Sequence, residues 1–140
     1  MGTGERHDRV ASSLHHHGPA SPELAARLRR QLVRWVRSEG VGADTANDIA
    51  LACYEAMANT VTHAYPSGTV GPLELHARLD HDSVVVTVAD RGCWSEPEPR
   101  GAHAPNGRGL ALIRNLADDA EVRPGEYGTT VRMTWPRHAA

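Results

Sequence analysis

The sequence predicts an α+β domain: a two-layer sandwich in which a mostly antiparallel sheet carries helices packed on one face. Three observations predict it. Two stretches with apolar residues at helical spacing, from Pro22 to Gly40 and from Asp44 to Ala64, come first. Two stretches of strand type follow, Leu73–Leu79 and Val84–Ala89, joined by the short turn sequence Asp80-His81-Asp82-Ser83. A third helical stretch around Leu110–Ala117 then leads into two more strands, Ala120–Arg123 and Thr129–Trp135, across a turn at Pro124–Gly128. The 140 residues suit one compact domain with one core.

Residues 1–20, MGTGERHDRVASSLHHHGPA, lack a sustained apolar period and read as a flexible N-terminal tail, carrying at most a short strand at Val10–Leu14. The domain proper is expected over 21–136. The triple histidine His15–His17 reads as a solvated tract rather than a metal site, because no other ligand type stands beside it. Ser21-Pro22-Glu23 is a strong helix start: a capping hydroxyl, a proline at the first helical position and an acid in the first turn. Leu24, Leu28, Leu32, Trp35 and Val36 then mark one buried face, and Arg27, Arg30, Arg34 and Arg37 mark another. The second helix ends where Tyr65-Pro66-Ser67-Gly68 breaks it. Residues 91–107, rich in Gly, Pro, Arg and His, read as a long loop of the kind that serves as a lid, with Gly107 or Gly109 opening the third helix.

Composition excludes several chemistries. All 15 basic residues are arginine. A phosphate-binding loop of the GxxxxGK[ST] type, a eukaryotic-type protein kinase and Schiff-base chemistry each need a lysine that this chain lacks. The net charge of −2 and the lack of a basic–aromatic pattern argue against nucleic-acid binding. The charge is unevenly spread: residues 1–40 carry seven arginines against four acids, and residues 41–140 carry eight against thirteen. That asymmetry fits either docking to an acidic partner or a solvated arginine-rich face. No 18-residue apolar run and no basic–apolar start are present, and the two cysteines make no disulfide framework, so the chain reads as a cytoplasmic protein with no membrane partner.

The second helix carries the most chemistry. With Glu55 set at zero on a helical wheel, Asp48 falls at about 20°, Asn59 at about 40° and His63 at about 80°. Leu51, Cys53, Tyr54, Ala56, Met57, Ala58, Val61 and Ala64 fill most of the remaining circumference. A helix that apolar is buried, so the narrow polar stripe faces either an enclosed polar site or water. Asp90-Arg91-Gly92 stands at a strand end, Asn106-Gly107-Arg108-Gly109-Leu110 stands before a helix, and Gly128-Thr129-Thr130 opens the last strand. Glycines before a helix let backbone N–H groups approach an anion at the helix N-terminus.

Taken in order, EAMANTVTHAY, VADRG, NGRGLALIRNLAD and GTTV resemble the N, G1, G2 and G3 boxes of the ATPase superfamily of gyrase, Hsp90, histidine kinases and MutL. The resemblance covers roughly residues 20–136, and the form E-A-x-x-N-x-x-x-H-A-Y is similar to that of the bacterial anti-sigma factor serine kinases. It implies the ATP-binding Bergerat-type fold, with nucleotide between helices and sheet under a lid. By motif position, Asn59 would hold Mg²⁺ and Glu55 would act on the attacking hydroxyl. Asp90 would accept the adenine amino group with Gly92 making room for the base. Gly107, Arg108, Gly109 and Leu110 would supply the phosphate-facing turn, and Thr130 a hydroxyl near the base. His63 matches the family histidine and is given a structural or lid-supporting role.

The resemblance further implies an anti-sigma factor that phosphorylates a serine of a STAS-domain anti-anti-sigma factor, sequesters a sigma factor and forms a homodimer. Two departures bear on this. Trp94 stands where the second G1 glycine of D-x-G-x-G is usual, and Pro97, Pro99 and Pro105 stiffen a short lid. They keep open the alternative of an ATP-binding partner-switching regulator without phosphotransfer, whereas Glu55 favours the kinase. Cys53 and Cys93 flank the expected site and read as inert buried thiols.

Overall fold

The computed structural model describes residues 12–66, 69–92 and 105–137. Ser21, in extended conformation, accepts the Leu24 N–H at 3.0 Å through its hydroxyl, and helix α1 (Pro22–Ser38) starts at the following proline as expected. Its buried face is Leu24, Ala25, Leu28, Leu32 and Val36. Trp35 stays half-buried at the edge of that face. The chain leaves α1 through Gly40, whose φ of +92° is open to glycine at little cost, and enters helix α2 (Ala43–Asn59).

The strands among the described residues are β1 (Ser13–Pro19), β2 (Pro72–Leu79), β3 (Ser83–Asp90), β4 (Asp119–Gly125) and β5 (Gly128–Pro136). Every neighbouring pair is antiparallel, in the spatial order β1-β2-β3-β5-β4. The β2–β3 hairpin closes where predicted, with the Asp80 N–H on the Ser83 carbonyl at 2.7 Å. Period-two alternation then sorts the side chains. Leu73, Leu75 and Ala77, then Val84, Val86 and Val88, then Val131, Met133 and Trp135 all enter one core. That core is completed by α1, α2 and helix α3 (Pro105–Leu116), with α2 packed against both of the others. Leu28, Leu32, Leu73 and Leu75 are fully enclosed, each contributing about 1.5–3 kcal/mol by burial. The Trp135 indole N–H donates to the Leu116 carbonyl at 2.9 Å and fixes the end of α3 over β5. The architecture is the predicted α+β sandwich, with helices on one face.

Three boundaries differ from the sequence expectation. Residues 13–19, assigned to a flexible tail, form edge strand β1 in register with β2, Ser13 opposite Arg78 and Pro19 opposite Pro72. Leu14, His16 and Gly18 lean toward the helices while Ser13, His15 and His17 are exposed. Histidines occupy both parities of the strand, and this hid its alternation. The short strand expected at Val10–Leu14 overlaps this one at Ser13 and Leu14, with Val10 and Ala11 outside the described residues, and the folded unit begins before Ser21. The second difference is at α3, whose backbone starts at Pro105 rather than at Gly107 or Gly109, so Asn106–Gly109 are helical rather than loop. Residues 93–104 of the expected lid, with Cys93, Trp94, Pro97 and Pro99, lie outside the described residues. The third is a π-helical turn, Thr60–Ala64, that continues α2.

Candidate functional site

Helix α2 places the polar stripe. Ala46, Ile49, Ala52, Cys53, Ala56 and Met57 bury its other sides, leaving Glu55 half-buried and Asn59, one turn on, 7% exposed. The Asn59 side-chain nitrogen is buried and has no hydrogen-bond partner among the described residues. An unpaired buried amide costs about 1–3 kcal/mol, so such a group is retained where an outside partner completes it. Asp48, on the same wheel sector two turns earlier, is exposed and lies apart from the site.

The π turn begins at the next residue. Widening the helix to i→i+5 bonding breaks the 100° progression, a feature common at functional sites. Thr60, 1% exposed, turns its hydroxyl to the Asp90 carboxylate and donates to Oδ2 at 3.1 Å. His63 leaves the Glu55–Asn59 stripe and lines a separate recess of about 470 Å³ with Ala64, Tyr65, Pro66, Arg91, Gly92 and Glu126.

Asp90, the last residue of β3, is 7% exposed. Its Oδ1 accepts the Gly92 N–H at 3.0 Å and the Thr129 N–H at 3.1 Å. A carboxylate with two backbone donors on one oxygen and a hydroxyl on the other is held in one orientation, and such donors offset much of the cost of burying it. Two glycines make the arrangement possible. A Cβ on Gly92 would stand 2.0 Å from the Ala64 carbonyl oxygen, and one on Gly128 would stand 1.9 Å from the Asp90 carbonyl oxygen. Gly128 also has φ +144°. The D-x-G turn is thus wedged between the end of the π turn and the start of β5. Tyr65 completes the wedge: its hydroxyl accepts the Arg91 N–H at 2.9 Å and donates to the Pro72 carbonyl at 2.6 Å. Burial raises the pKa of that phenol, the Asp90 charge adds to the rise, and the Arg91 hydrogen bond and charge oppose it.

The structure ties Asp90 to Gly92 and to Thr60, the residue after Asn59, and Glu55 stands one helical turn before Asn59. It moves one assignment. Thr130 pairs with Ala89 and Arg123, on the opposite parity from the core residues Val131, Met133 and Trp135, and so faces the side of the sheet away from the helices. The threonine beside Asp90 is Thr129, 3% exposed. Gly107, Arg108 and Gly109 have helical backbone, and their side chains lie outside the described residues, while Leu110 is half-buried against the core. Sequence reasoning missed Thr60, Thr129 and Tyr65. The signal for Thr129 was present, since it has the parity of Val131 and Met133. Cys53 is fully buried, and burial pushes its thiol far up, which makes it inert as expected. Among the described residues no group of three His, Cys, Asp or Glu is arranged to hold a metal ion, His15–His17 included.

Residues 18–135 match the family of the histidine kinase-like ATPase domain. The chain belongs to this family. Among its relatives are the serine-protein kinase RsbW of Bacillus mycoides, 33% identical over 83% of this chain and 79% of that protein, and RsbW of Bacillus cereus, 31% identical over 93% and 86%. RsbW of Bacillus licheniformis is 28% identical over 90% of this chain and 86% of its own length. A solved Mycobacterium tuberculosis protein with RsbU and RsbW domains superposes with a TM-score of 0.72 at 28% identity, covering 89% of this chain and 32% of that one. The Acinetobacter baumannii histidine kinase AdeS shares the fold, with a TM-score of 0.55 at 8% identity over 89% of this chain and 68% of its own. No described helix is long and apolar enough to cross a membrane.

Proposed function

We propose that this protein is an ATP-dependent serine-protein kinase that also acts as a cytoplasmic anti-sigma factor. Its substrates are ATP and a serine of a STAS-domain anti-anti-sigma factor, and in its other state it holds a sigma factor, as a homodimer. The observation that carries the reading is the pairing of a buried, oriented Asp90 carboxylate with a buried Asn59 amide whose nitrogen has no partner, Glu55 lying one helical turn before it.

Asp90 is an acceptor matched to the exocyclic amine of adenine; guanine presents a carbonyl oxygen there and would be repelled. Asn59 fits the role of a ligand to Mg²⁺. The ion is hard, prefers oxygen and keeps several waters, so one amide oxygen beside the phosphates suffices, and rotating the amide by 180° exchanges its two ends. When bound, Mg²⁺ would neutralise charge on the transferred phosphoryl group. Glu55 is the base. As the serine oxygen forms its bond to the γ-phosphorus, the bond from phosphorus to the β–γ bridging oxygen breaks, and ADP leaves with the electron pair. The hydroxyl proton passes to the Glu55 carboxylate, a contribution of about 10²–10⁴ in rate. The test is incubation with labelled ATP and candidate STAS-domain proteins from the same genome. Label on a serine of one of them supports the kinase. ATP-controlled association without label would replace it with a binding module.

A further inference from the structure

The wedge around the D-x-G turn has one member that no motif role covers. We infer that Tyr65 is a positioning residue that sets nucleobase selectivity, acting through the Asp90–Gly92 turn rather than by touching nucleotide; this rests on the reading of Asp90 as the adenine acceptor.

Three observations converge on it. The Tyr65 hydroxyl is used twice, accepting from the Arg91 N–H at 2.9 Å and donating to the Pro72 carbonyl at 2.6 Å. It therefore ties the end of the π turn to the start of β2 and to the residue between Asp90 and Gly92. The ring lies so close to Gly71 that a Cβ there would stand 2.1 Å from ring carbon Cε1, so the backbone before β2 has been shaped around the aromatic ring. Gly71 is held in turn, its carbonyl accepting the Ala20 N–H at 2.8 Å between β1 and α1. Finally, Asp90 is oriented through Gly92: the same two-residue turn whose middle N–H Tyr65 holds delivers the Gly92 N–H to Asp90 Oδ1 at 3.0 Å.

The consequence is geometric. With the Arg91 N–H anchored, the peptide planes on either side of it are fixed, and the Gly92 N–H points at Oδ1. Oδ1 accepts the Gly92 and Thr129 N–H groups and Oδ2 the Thr60 hydroxyl, so the turn sets the plane of the carboxylate and with it the direction from which an amine can approach. Without the phenolic oxygen, Arg91 is exposed enough for water to replace the bond, and the turn gains freedom about the Arg91 backbone. The carboxylate stays, but its aim loosens. A misplaced acceptor weakens the ATP complex and leaves the GTP complex, which gains nothing from it, unchanged, so affinity for ATP and the ATP:GTP ratio fall together.

The experiment measures KM and kcat for ATP and GTP, together with thermal unfolding, in the full chain. Its first arm is the unmutated protein: absence of ATP-over-GTP selectivity would remove the Asp90 reading itself. Given that selectivity, Tyr65→Phe, which keeps the ring and removes only the oxygen, is expected to raise KM for ATP about three- to tenfold with kcat within twofold, and to narrow the ATP:GTP ratio by a similar factor. A purely structural tyrosine would lower the unfolding temperature and leave the ratio untouched, and that result would overturn the inference. Gly71→Ala keeps the hydroxyl but displaces the ring, so it is expected to narrow the ratio in the same direction. An unchanged ratio in this variant, with the protein folded, would equally count against Tyr65.

Discussion

The two ends of the site are built on different plans. At the Asp90 end the carboxylate accepts from Thr60, Gly92 and Thr129 at 3.0–3.1 Å, with the turn itself held by Tyr65 and by two glycines that admit no side chain. At the Asn59 end the protein buries an amide whose nitrogen has no partner among the described residues. On the proposed reading, the Asp90 end receives the base, a rigid, uncharged ring that must be distinguished from a near-isostere, and its receptor is fixed in advance. On the same reading, phosphates with their metal bring their own charge and geometry, and the Asn59 end would offer a ligand that the incoming group completes. Pre-organisation thus sits where discrimination is needed.

The comparison breaks most sharply at Asp90. Asp90→Asn is nearly isosteric, and its carbonyl oxygen is able to keep the Gly92 and Thr129 N–H bonds, so the fold should survive. The amide nitrogen then replaces Oδ2 and presents donors to the adenine amine. Loss of detectable ATP binding at unchanged circular dichroism is expected, against at least tenfold preference for ATP over GTP in the unmutated protein. Equal affinity for the two nucleotides before mutation would show that the fixed end does not read the base.

Glu55 tests the other end without touching the fixed one. A group acting only on the incoming hydroxyl belongs to the transition state, so Glu55→Gln should leave nucleotide affinity within about threefold and lower serine phosphotransfer by about 10²-fold or more. Titration of ATP alongside single-turnover labelling separates the two quantities. A parallel loss of both would place Glu55 in ground-state binding instead.

How much of this was legible in the sequence follows the same division. The helices and four of the strands were readable because their apolar periods survive in one-dimensional form: Leu24-Leu28-Leu32-Val36 for α1, and the alternations of β2 and β5. Glu55, Asn59 and Asp90 stood out because charged or amide groups interrupt otherwise apolar elements. What escaped was set by contacts between distant segments. Strand β1 is defined by pairing with Arg78–Pro72, not by its own pattern. Thr60 became a partner of Asp90 because the helix changes from α to π at that residue, an event the wheel does not represent. Tyr65 looked like the residue before a breaking proline, and its role depends on Arg91 and Pro72, 26 and 7 residues away.

Asn59→Ala sharpens the contrast at the open end. If the amide is a ligand to Mg²⁺, its removal should weaken ATP binding about tenfold in the presence of the metal and hardly at all in EDTA. Calorimetric titration under both conditions gives the comparison. An equal loss in both would make Asn59 a packing element, and the unpartnered nitrogen would then be a cost without a ligand to answer it. Thermal stability should change little or rise, because alanine removes a buried polar group that the protein leaves unpaired.

The smallest expected effect checks the register on which the fixed end depends. Thr129 and Thr130 are neighbours in sequence and sit on opposite faces of β5, so only one of them lies against Asp90. Replacing Thr130 with valine keeps the β-branched shape on the side of the sheet away from the helices. ATP affinity and the ATP:GTP ratio are therefore expected to stay within twofold. A one-residue slip of β5 against β3 would exchange the two faces, bring Thr130 beside the carboxylate and put Val131, now core, into solvent. In that register Thr130→Val would remove the neighbouring hydroxyl and lower affinity by severalfold. Measured affinity of Thr130→Val thus decides between the two registers, and with them whether the Thr129 N–H is one of the donors that aim Asp90.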